Sequence, residues 1–262
     1  MKINIVFNKD IDGWEEKLGV LENTLKTCCA EFKSFDILNM RDFGDFTFVT
    51  GGDGTILRAA DFYAERGIPI LGINTGRLGF LSHTGMDNIE DVVRSVMNGN
   101  YTVEDRIMLK ADENSALNDF VLKGCTPLRT SKFRLSINGE FVCSCIADGL
   151  IISTPTGSTA YNLSAGGPIL HPALNAFAIV PICPHSLNIR PLVIPSGETA
   201  AVTAEDKLIS VYADGIHLKN TEKIEIKIAG YSARLAFVNN GSFYSLVQNK
   251  LHWGVSPEIN SK

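Results

Sequence analysis

Phe46-Thr47-Phe48-Val49-Thr50-Gly51-Gly52-Asp53-Gly54-Thr55 runs an apolar, strand-like stretch straight into a turn that holds three glycines and one carboxylate. Ile56, Ala59, Ala60 and Tyr63 then recur at the spacing of one helical face, so the unit reads strand, turn, helix, with Thr55 as the helix N-cap. Without a Cβ, Gly51, Gly52 and Gly54 let the chain turn sharply and present N–H groups to an anion. The start of the helix adds its own unbonded N–H groups and the positive end of its dipole. Asp53 is the odd member, because a carboxylate beside a polyphosphate is repelled unless it holds a metal or takes a proton. That combination points to phosphoryl transfer rather than to a turn that merely favours Asp-Gly.

Working outward, strand-like runs at residues 3–7, 46–50 and 68–73 alternate with helix-patterned stretches at about 14–30, 56–66 and 89–97. This is the signature of an α/β N-terminal domain, a parallel sheet with flanking helices. Two of its strands end in glycine-bearing turns, at residues 51–54 and at Asn74-Thr75-Gly76-Arg77-Leu78-Gly79-Phe80. Ligands of open α/β sheets bind beyond the carboxyl ends of strands, so both turns are expected to line one crevice. Past Tyr101 the pattern changes to short alternating strands. Residues 133–137, Asn138-Gly139 and 141–146 form a hairpin signal. Residues 208–213 before Asp214-Gly215, and 223–228 followed by 234–238, continue it. The expected architecture is α+β: residues 1–100 as the α/β domain, completed by about 240–262, and residues 101–239 as a mostly-β domain. The stretch 243–253 fits helix or strand and is expected to return to the first domain.

At 262 residues, with 45% hydrophobic and 20% charged residues, the chain can bury the cores of two units. A net charge of −5 and basic residues scattered singly argue against nucleic acid as a partner. No apolar run approaches the ~20 residues that span a bilayer, and the N-terminus reads as a strand, so no membrane partner and a cytoplasmic protein are expected. Cys28, Cys29, Cys125, Cys143, Cys145 and Cys183 match no zinc-binding spacing and read as reduced structural thiols. Cys143 and Cys145 are expected on opposite faces of one strand. His171 and His185 lie beside prolines in loop-like sequence.

A second dense constellation runs from Asp148 through Pro168. Seven hydroxyl side chains fall between Ser153 and Ser164, after an apolar strand and before the Gly166-Gly167-Pro168 turn. Such a loop can bond sugar hydroxyls, phosphates or amides, and in a partly buried setting each of its polar groups needs a partner. Neither a Gly-x-x-x-x-Gly-Lys-Ser/Thr loop nor a Gly-x-Gly-x-x-Gly is present, since the third glycine would fall at Leu57.

Four stretches, in this order, resemble the bacterial NAD kinases: Gly51 to Thr55, the Asn74 to Phe80 turn, Gly149 to Pro168, and Pro181-Ile182-Cys183-Pro184-His185-Ser186-Leu187 with Arg190-Pro191-Leu192-Val193. The resemblance spans essentially the whole chain. The first motif alone is shared with lipid kinases and phosphofructokinases, whereas Thr154 to Tyr161 with the later Pro-His segment is specific. What the resemblance implies is ATP-dependent phosphorylation of the 2′-hydroxyl on the adenosine ribose of NAD, giving NADP. It implies a divalent cation, Mg2+, ATP or polyphosphate as donor, and a homodimer or homotetramer.

By the same resemblance Asp53 is the general base, and Gly51, Gly52, Gly54 and Thr55 meet phosphate. The NAD contacts fall on Asp53, Gly54, Arg58, Asn118, Asp119, Arg129, Ile146, Asp148, Thr159, Ala160, Tyr161, Asn162, Leu163, Ser164, Cys183 and Ile216; no residue is assigned to the metal. Three positions depart from the family pattern: Asp119 is one methylene shorter than the usual glutamate, Ile216 replaces a glutamine, and Ile146 replaces a basic residue. Two alternatives share the Asp53 motif, a diacylglycerol-type lipid kinase with an apolar acceptor cleft and a catalytically silent dinucleotide sensor.

Overall fold

The computed structural model describes residues 1–76, 79–82, 84–126, 129–205, 208–238 and 241–254. The chain divides into two compact units, one of Met1–Ala59, Ile68–Glu104 and Leu235–Lys262 and the other of Ala60–Gly67 and Asp105–Arg234.

The first unit contains β1 (Lys2–Phe7), α1 (Trp14–Thr27), β2 (Glu31–Asp36), β3 (Phe46–Thr50), the start of α2 (Asp53–Ala64), β4 (Ile70–Asn74), β5 (Thr84–Gly85) and α3 (Ile89–Met97). Its strands lie in the order β2-β1-β3-β4, every pair parallel. All residues of β3 and β4 are buried, because a parallel sheet is covered on both faces; hence their mostly apolar runs, with Thr47, Thr50 and Asn74 buried among them. Ile3, Ile5, Phe46, Phe48, Leu71 and Ile73 pack with Leu21 and Leu25 of α1 and with Ile89, Val92, Val93 and Val96 of α3. The α3 residues fall at i, i+3, i+4 and i+7, the spacing of a helix with one face in the core. Strand β2, Glu-Phe-Lys-Ser-Phe-Asp, carries no run that marks it as a strand. It lies at the sheet edge, half-exposed, where charges are tolerated.

The second unit holds most of β6 (Thr102–Ala111), then β7 (Asn114–Ala116), β8 (Asp119–Gly124), β9 (Ser131–Ile137), β10 (Glu140–Ala147), β11 (Gly149–Ser153), the single turn α4 (Tyr161–Ser164), β12 (Ala176–Ile182), β13 (Leu192–Pro195), β14 (Ala200–Ala204), β15 (Ile209–Ala213), β16 (Ile216–Thr221) and most of β17 (Lys223–Phe237). One sheet runs β13-β12-β11-β8-β15-β16, and a second set runs β10-β9-β14-β17. Phe120, Leu122, Leu150, Ile152, Phe177 and Ile179 of the first interleave with Phe133, Leu135, Val202, Ile224 and Ile226 of the second in one core. Positive φ at Asn138 and Gly139, and at Asp214 and Gly215, matches the tight hairpin turns read from those dipeptides. The α/β then mostly-β division expected from the sequence is the one observed.

Three local readings are corrected, and one left open, residues 243–253, is resolved. Helix α2 begins at Asp53, so Thr55 is its third residue and not its cap; the Gly52 carbonyl accepts the N–H groups of Thr55 and Ile56 instead. The runs 223–228 and 234–238 are one strand, β17, because ladder partners carry it through the weak stretch around Gly230. Residues 243–253 contain a helix, α5 (Phe243–Leu251), capped by the Ser242 hydroxyl accepting the Ser245 N–H at 3.1 Å. Cys143 and Cys145 share a face of β10, since strand side chains repeat every second residue.

Candidate active site

In the first unit, β3 delivers Gly51 and Gly52 to the start of α2. A Cβ on Gly51 would lie 2.5 Å from Thr55 Oγ1, so packing against the buried Thr55 demands glycine there. Gly52 and Gly54 are different, for the space their Cβ atoms would fill is open to 4 Å. Their own fold does not require them, and their backbone is left bare for a ligand to approach. Arg58 follows one turn along the helix, exposed.

The Asp53 carboxylate is seated by the turn after β4. Its Oδ2 accepts the Phe80 N–H at 2.8 Å and its Oδ1 the Leu81 N–H at 3.3 Å. A Cβ on Gly79 would overlap that carboxylate. Asn74 ties the turn down, its Oδ1 accepting the Gly76 N–H at 2.7 Å and its Nδ2 donating to Ser82 Oγ at 3.1 Å. The sequence marks this turn as a crevice wall; that Gly79, Phe80 and Leu81 hold Asp53 is visible only in three dimensions. Arg77 and Leu78 of the same turn lie outside the described residues.

In the second unit Asn118 and Asp119 enter β8 under the control of Asp214. The Asp214 carboxylate accepts three backbone N–H groups, from Leu117 at 2.9 Å, Asn118 at 2.8 Å and Asp119 at 3.1 Å, while its own N–H donates to the Asp119 carbonyl at 3.0 Å. Burial and the neighbouring Asp214 raise the Asp119 carboxyl to about 7. Asp214 is raised to about 6, burial outweighing the three amides that favour its charged form. Asp214-Gly215 is legible as a motif in the sequence, but not as the clamp on Asn118 and Asp119.

The hydroxyl-rich loop wraps around the same segment. Thr154 N–H donates to the Asn118 carbonyl at 2.9 Å, Thr154 Oγ1 to the Leu117 carbonyl at 2.5 Å, and Gly157 N–H to Thr154 Oγ1 at 3.0 Å. A Cβ on Gly157 would fall on the Asn118 backbone. Ser153, Thr154, Thr156 and Ser158 are buried and spend their hydroxyls inside the protein, so they build the loop rather than face a ligand. Asn162 is also buried, its amide donating to the Ser158 and Pro168 carbonyls at 2.9 and 3.0 Å. Thr159, Ala160 and Leu163 are half-buried, and Tyr161 and Ser164 are exposed, with Lys123 Nζ 5.9 Å from the Tyr161 ring centre.

Strand pairing sets the distances between these groups. Asp119 faces Ser153 at one end of the β8–β11 ladder, and Lys123 faces Gly149 at the other, next to Asp148. Asp148 N–H donates to the Ile182 carbonyl at 3.0 Å, and the Ile146 carbonyl accepts the His185 N–H at 2.9 Å, so Ile146, Asp148 and Cys183 gather at this second end. The four ladder steps between span about 13 Å. Arg129 and Ile216 are exposed. Asp119 and Asp148 thus stand at opposite ends of the ladder, with the Tyr161 ring near Lys123.

The chain matches the family model of the ATP-NAD kinase N-terminal domain over residues 15–101 and that of the ATP-NAD kinase C-terminal domain over residues 117–238. The chain belongs to the ATP-NAD kinase family. The NAD kinase of Thiobacillus denitrificans is 39% identical over 240 residues, covering 86% of this chain and 82% of that protein. The NAD kinase of Cytophaga hutchinsonii is 37% identical over 231 residues, with 83% and 79% covered. Among solved structures, an NAD kinase from Archaeoglobus fulgidus in complex with ATP aligns with TM-score 0.81 at 29% identity over 96% of this chain and 99% of that one. Yeast NADH kinase complexed with NADH shares the fold at TM-score 0.86 and 22% identity, over 98% and 89%. Family membership makes the chain a phosphotransferase acting on an alcohol group, and neither a lipid kinase nor a silent sensor gains support. Among the described residues, no helix is long and apolar enough to cross a membrane.

Proposed function

We propose that this ATP-NAD kinase family member transfers the γ-phosphoryl group of ATP to the 2′-hydroxyl on the adenosine ribose of NAD, giving NADP and ADP, with Asp53 as general base. The observation that carries the reading is the seat of Asp53: its two oxygens rest on consecutive amides beside glycines that nothing in the fold requires. A secondary hydroxyl is a poor nucleophile while protonated. The Asp53 carboxylate takes its proton as the ribose oxygen closes on phosphorus, and the remaining demand is alignment and charge neutralisation. The amides near Gly52 and Gly54 meet the donor's phosphates, and Arg58 adds positive charge.

Asn118 and Asp119 hold the adenosine ribose, positioned by Asp214. Thr159, Ala160, Tyr161 and Ser164 line the adenine and ribose, and Asp148 takes the nicotinamide end. The buried Asn162 and the half-buried Leu163 support the loop from within. Arg129, Ile146, Cys183 and Ile216 stand at the rim.

Among the described residues no group of three or more His, Cys, Asp or Glu could cage a metal. That donor set suits Mg2+ bound mainly to nucleotide phosphates and water, with Asp53 the nearby carboxylate; the ion would neutralise charge on the transferring group. Exposed Phe141, Val142, Leu187, Leu192 and Val193 support a homodimer or homotetramer. Six free cysteines support a reducing, cytoplasmic setting. The test is NADP formation from ATP, Mg2+ and NAD, read by an NADP-specific dehydrogenase, with polyphosphate in parallel. NAD binding without NADP from either donor would overturn the proposal.

A further inference from the structure

Within the first unit, the strand order β2-β1-β3-β4 has its switch point between β1 and β3. The chain crosses from β1 to β2 and from β3 to β4, outward in opposite directions, and because such crossovers are right-handed the two helices leave on opposite faces of the sheet. The packing agrees. Leu21 and Leu25 of α1 pack with Leu71 and Ile73 of β4, whereas a Cβ on Gly72 between them would overlap Ile56 of α2. In open α/β sheets the ligand crevice lies at that point, beyond the carboxyl ends of the two strands. One lip is the Gly51–Gly52 turn, and the other is the loop after β1, residues 8–13. Phe7 pairs with Thr50, so the lips start one strand spacing apart, about 4.8 Å.

The second lip carries an aromatic stack. The rings of Phe7 and Trp14 lie 4.9 Å apart and 7° from parallel. Phe7 is buried, while Trp14, the first residue of α1, is half-buried and keeps ring surface for a second flat group. Leu21 and Leu25, both fully buried, dock the helix on the sheet, so its packing does not hang on Trp14. Asp10, Asp12, Glu15 and Glu16 flank the ring in sequence, and Lys9, the basic residue of the loop, is met by the Asp36 carboxylate at 3.6 Å. Such a lip repels phosphate and admits an uncharged ring.

The direction of transfer selects the same side. Asp53 rests on the amides of Phe80 and Leu81, beyond β4, which places the attacking hydroxyl on the β4 side of the Gly52 turn. In phosphoryl transfer the attacking and leaving oxygens lie roughly in line, so the leaving diphosphate extends the other way, toward β1. We propose that Trp14, stacked on Phe7, is the platform on which the purine base of the donor nucleotide lies. The proposal rests on ATP donation as read above, and it adds the residue that favours a nucleoside triphosphate over a bare polyphosphate.

The test is isothermal titration of the full chain with ATP and, separately, with inorganic tripolyphosphate. W14A should weaken ATP about tenfold, the scale of base–aromatic stacking, with W14F restoring most of the loss, and should leave the affinities for tripolyphosphate and NAD unchanged. In W253F the ring of Trp14 is the sole indole, so its emission should change on adding ATP and stay flat with tripolyphosphate. Equal ATP affinity in wild type and W14A would overturn the proposal, and so would a Trp14 emission that saturating ATP leaves unmoved. Equal weakening of ATP and tripolyphosphate would also overturn it, since the base would then not be what Trp14 holds. NADP formation by the wild type, followed in parallel, judges the phosphotransfer reading separately.

Discussion

Alanine at Gly79 tests the seat of the catalytic carboxylate without touching the carboxylate itself. The added Cβ would lie well inside the 3.0 Å that real Cβ atoms respect, against both oxygens and Cγ of Asp53. Gly79 does not sit in the left-handed region, so alanine adds no backbone strain of its own and the clash must be relieved by moving Asp53. The required shift is about 1 Å, and a misplacement of that size at a reacting group costs about 100-fold in rate. The expected result for G79A is kcat lower by about two orders of magnitude, or about 2.7 kcal/mol of transition-state stabilisation. NAD affinity should hold, because Asn118, Asp119 and Tyr161 are untouched. Steady-state kinetics with separate NAD titration reads both quantities. A kcat within about threefold of wild type would refute the argument that the amides of Phe80 and Leu81 fix the base.

Replacing Asp53 by Asn keeps the shape and removes the proton acceptor, so kcat should fall about 10²- to 10⁴-fold with little change in NAD affinity; a near-normal rate would take Asp53 out of the base role. Gly54→Ala enters open space, so thermal stability should hold while the KM for ATP rises about tenfold or more, and an unchanged KM would mean that phosphate does not approach there. Asp119 holds its proton in the folded state up to about 7, well above its unfolded value of 3.8, so the native state binds the extra proton between those limits. Folding stability should therefore decline as pH rises through that window, and Asp119→Asn should be more stable than wild type at pH 8, by on the order of 1–3 kcal/mol, with the advantage gone near pH 4. The same ionisation creates the acceptor for the ribose hydroxyl, so NAD affinity should rise between about pH 6 and pH 8 in wild type and stay flat in Asp119→Asn; isothermal titration across that range decides it.

What was legible in the chain followed local rules. Phe46 to Thr50 announced a strand because aromatic and β-branched residues fill it, and Asn138-Gly139 announced a hairpin because few dipeptides accept two positive φ values. β2 was not legible, because an edge strand needs only one partner and can carry charges. The join across Gly230 was invisible for a related reason: the residues that sustain β17 there lie on other strands. The hydroxyl-rich loop misled in one respect, since chemistry alone cannot tell a hydroxyl that meets a ligand from one, like Ser158 or Thr154, that satisfies its own backbone.

The order of strands and helices, the glycine turn and its single carboxylate came from the sequence, because steric freedom at glycine, helical and strand periodicity and the charge of Asp53 are properties of neighbours in the chain. Only the tertiary structure decided that Phe80 and Leu81 hold Asp53, that Asp214 commands Asn118 and Asp119, and that Cys143 and Cys145 line one cavity. Hydrogen bonds between residues 27 or 96 positions apart depend on how strands pair, and pairing is a property of the folded chain as a whole.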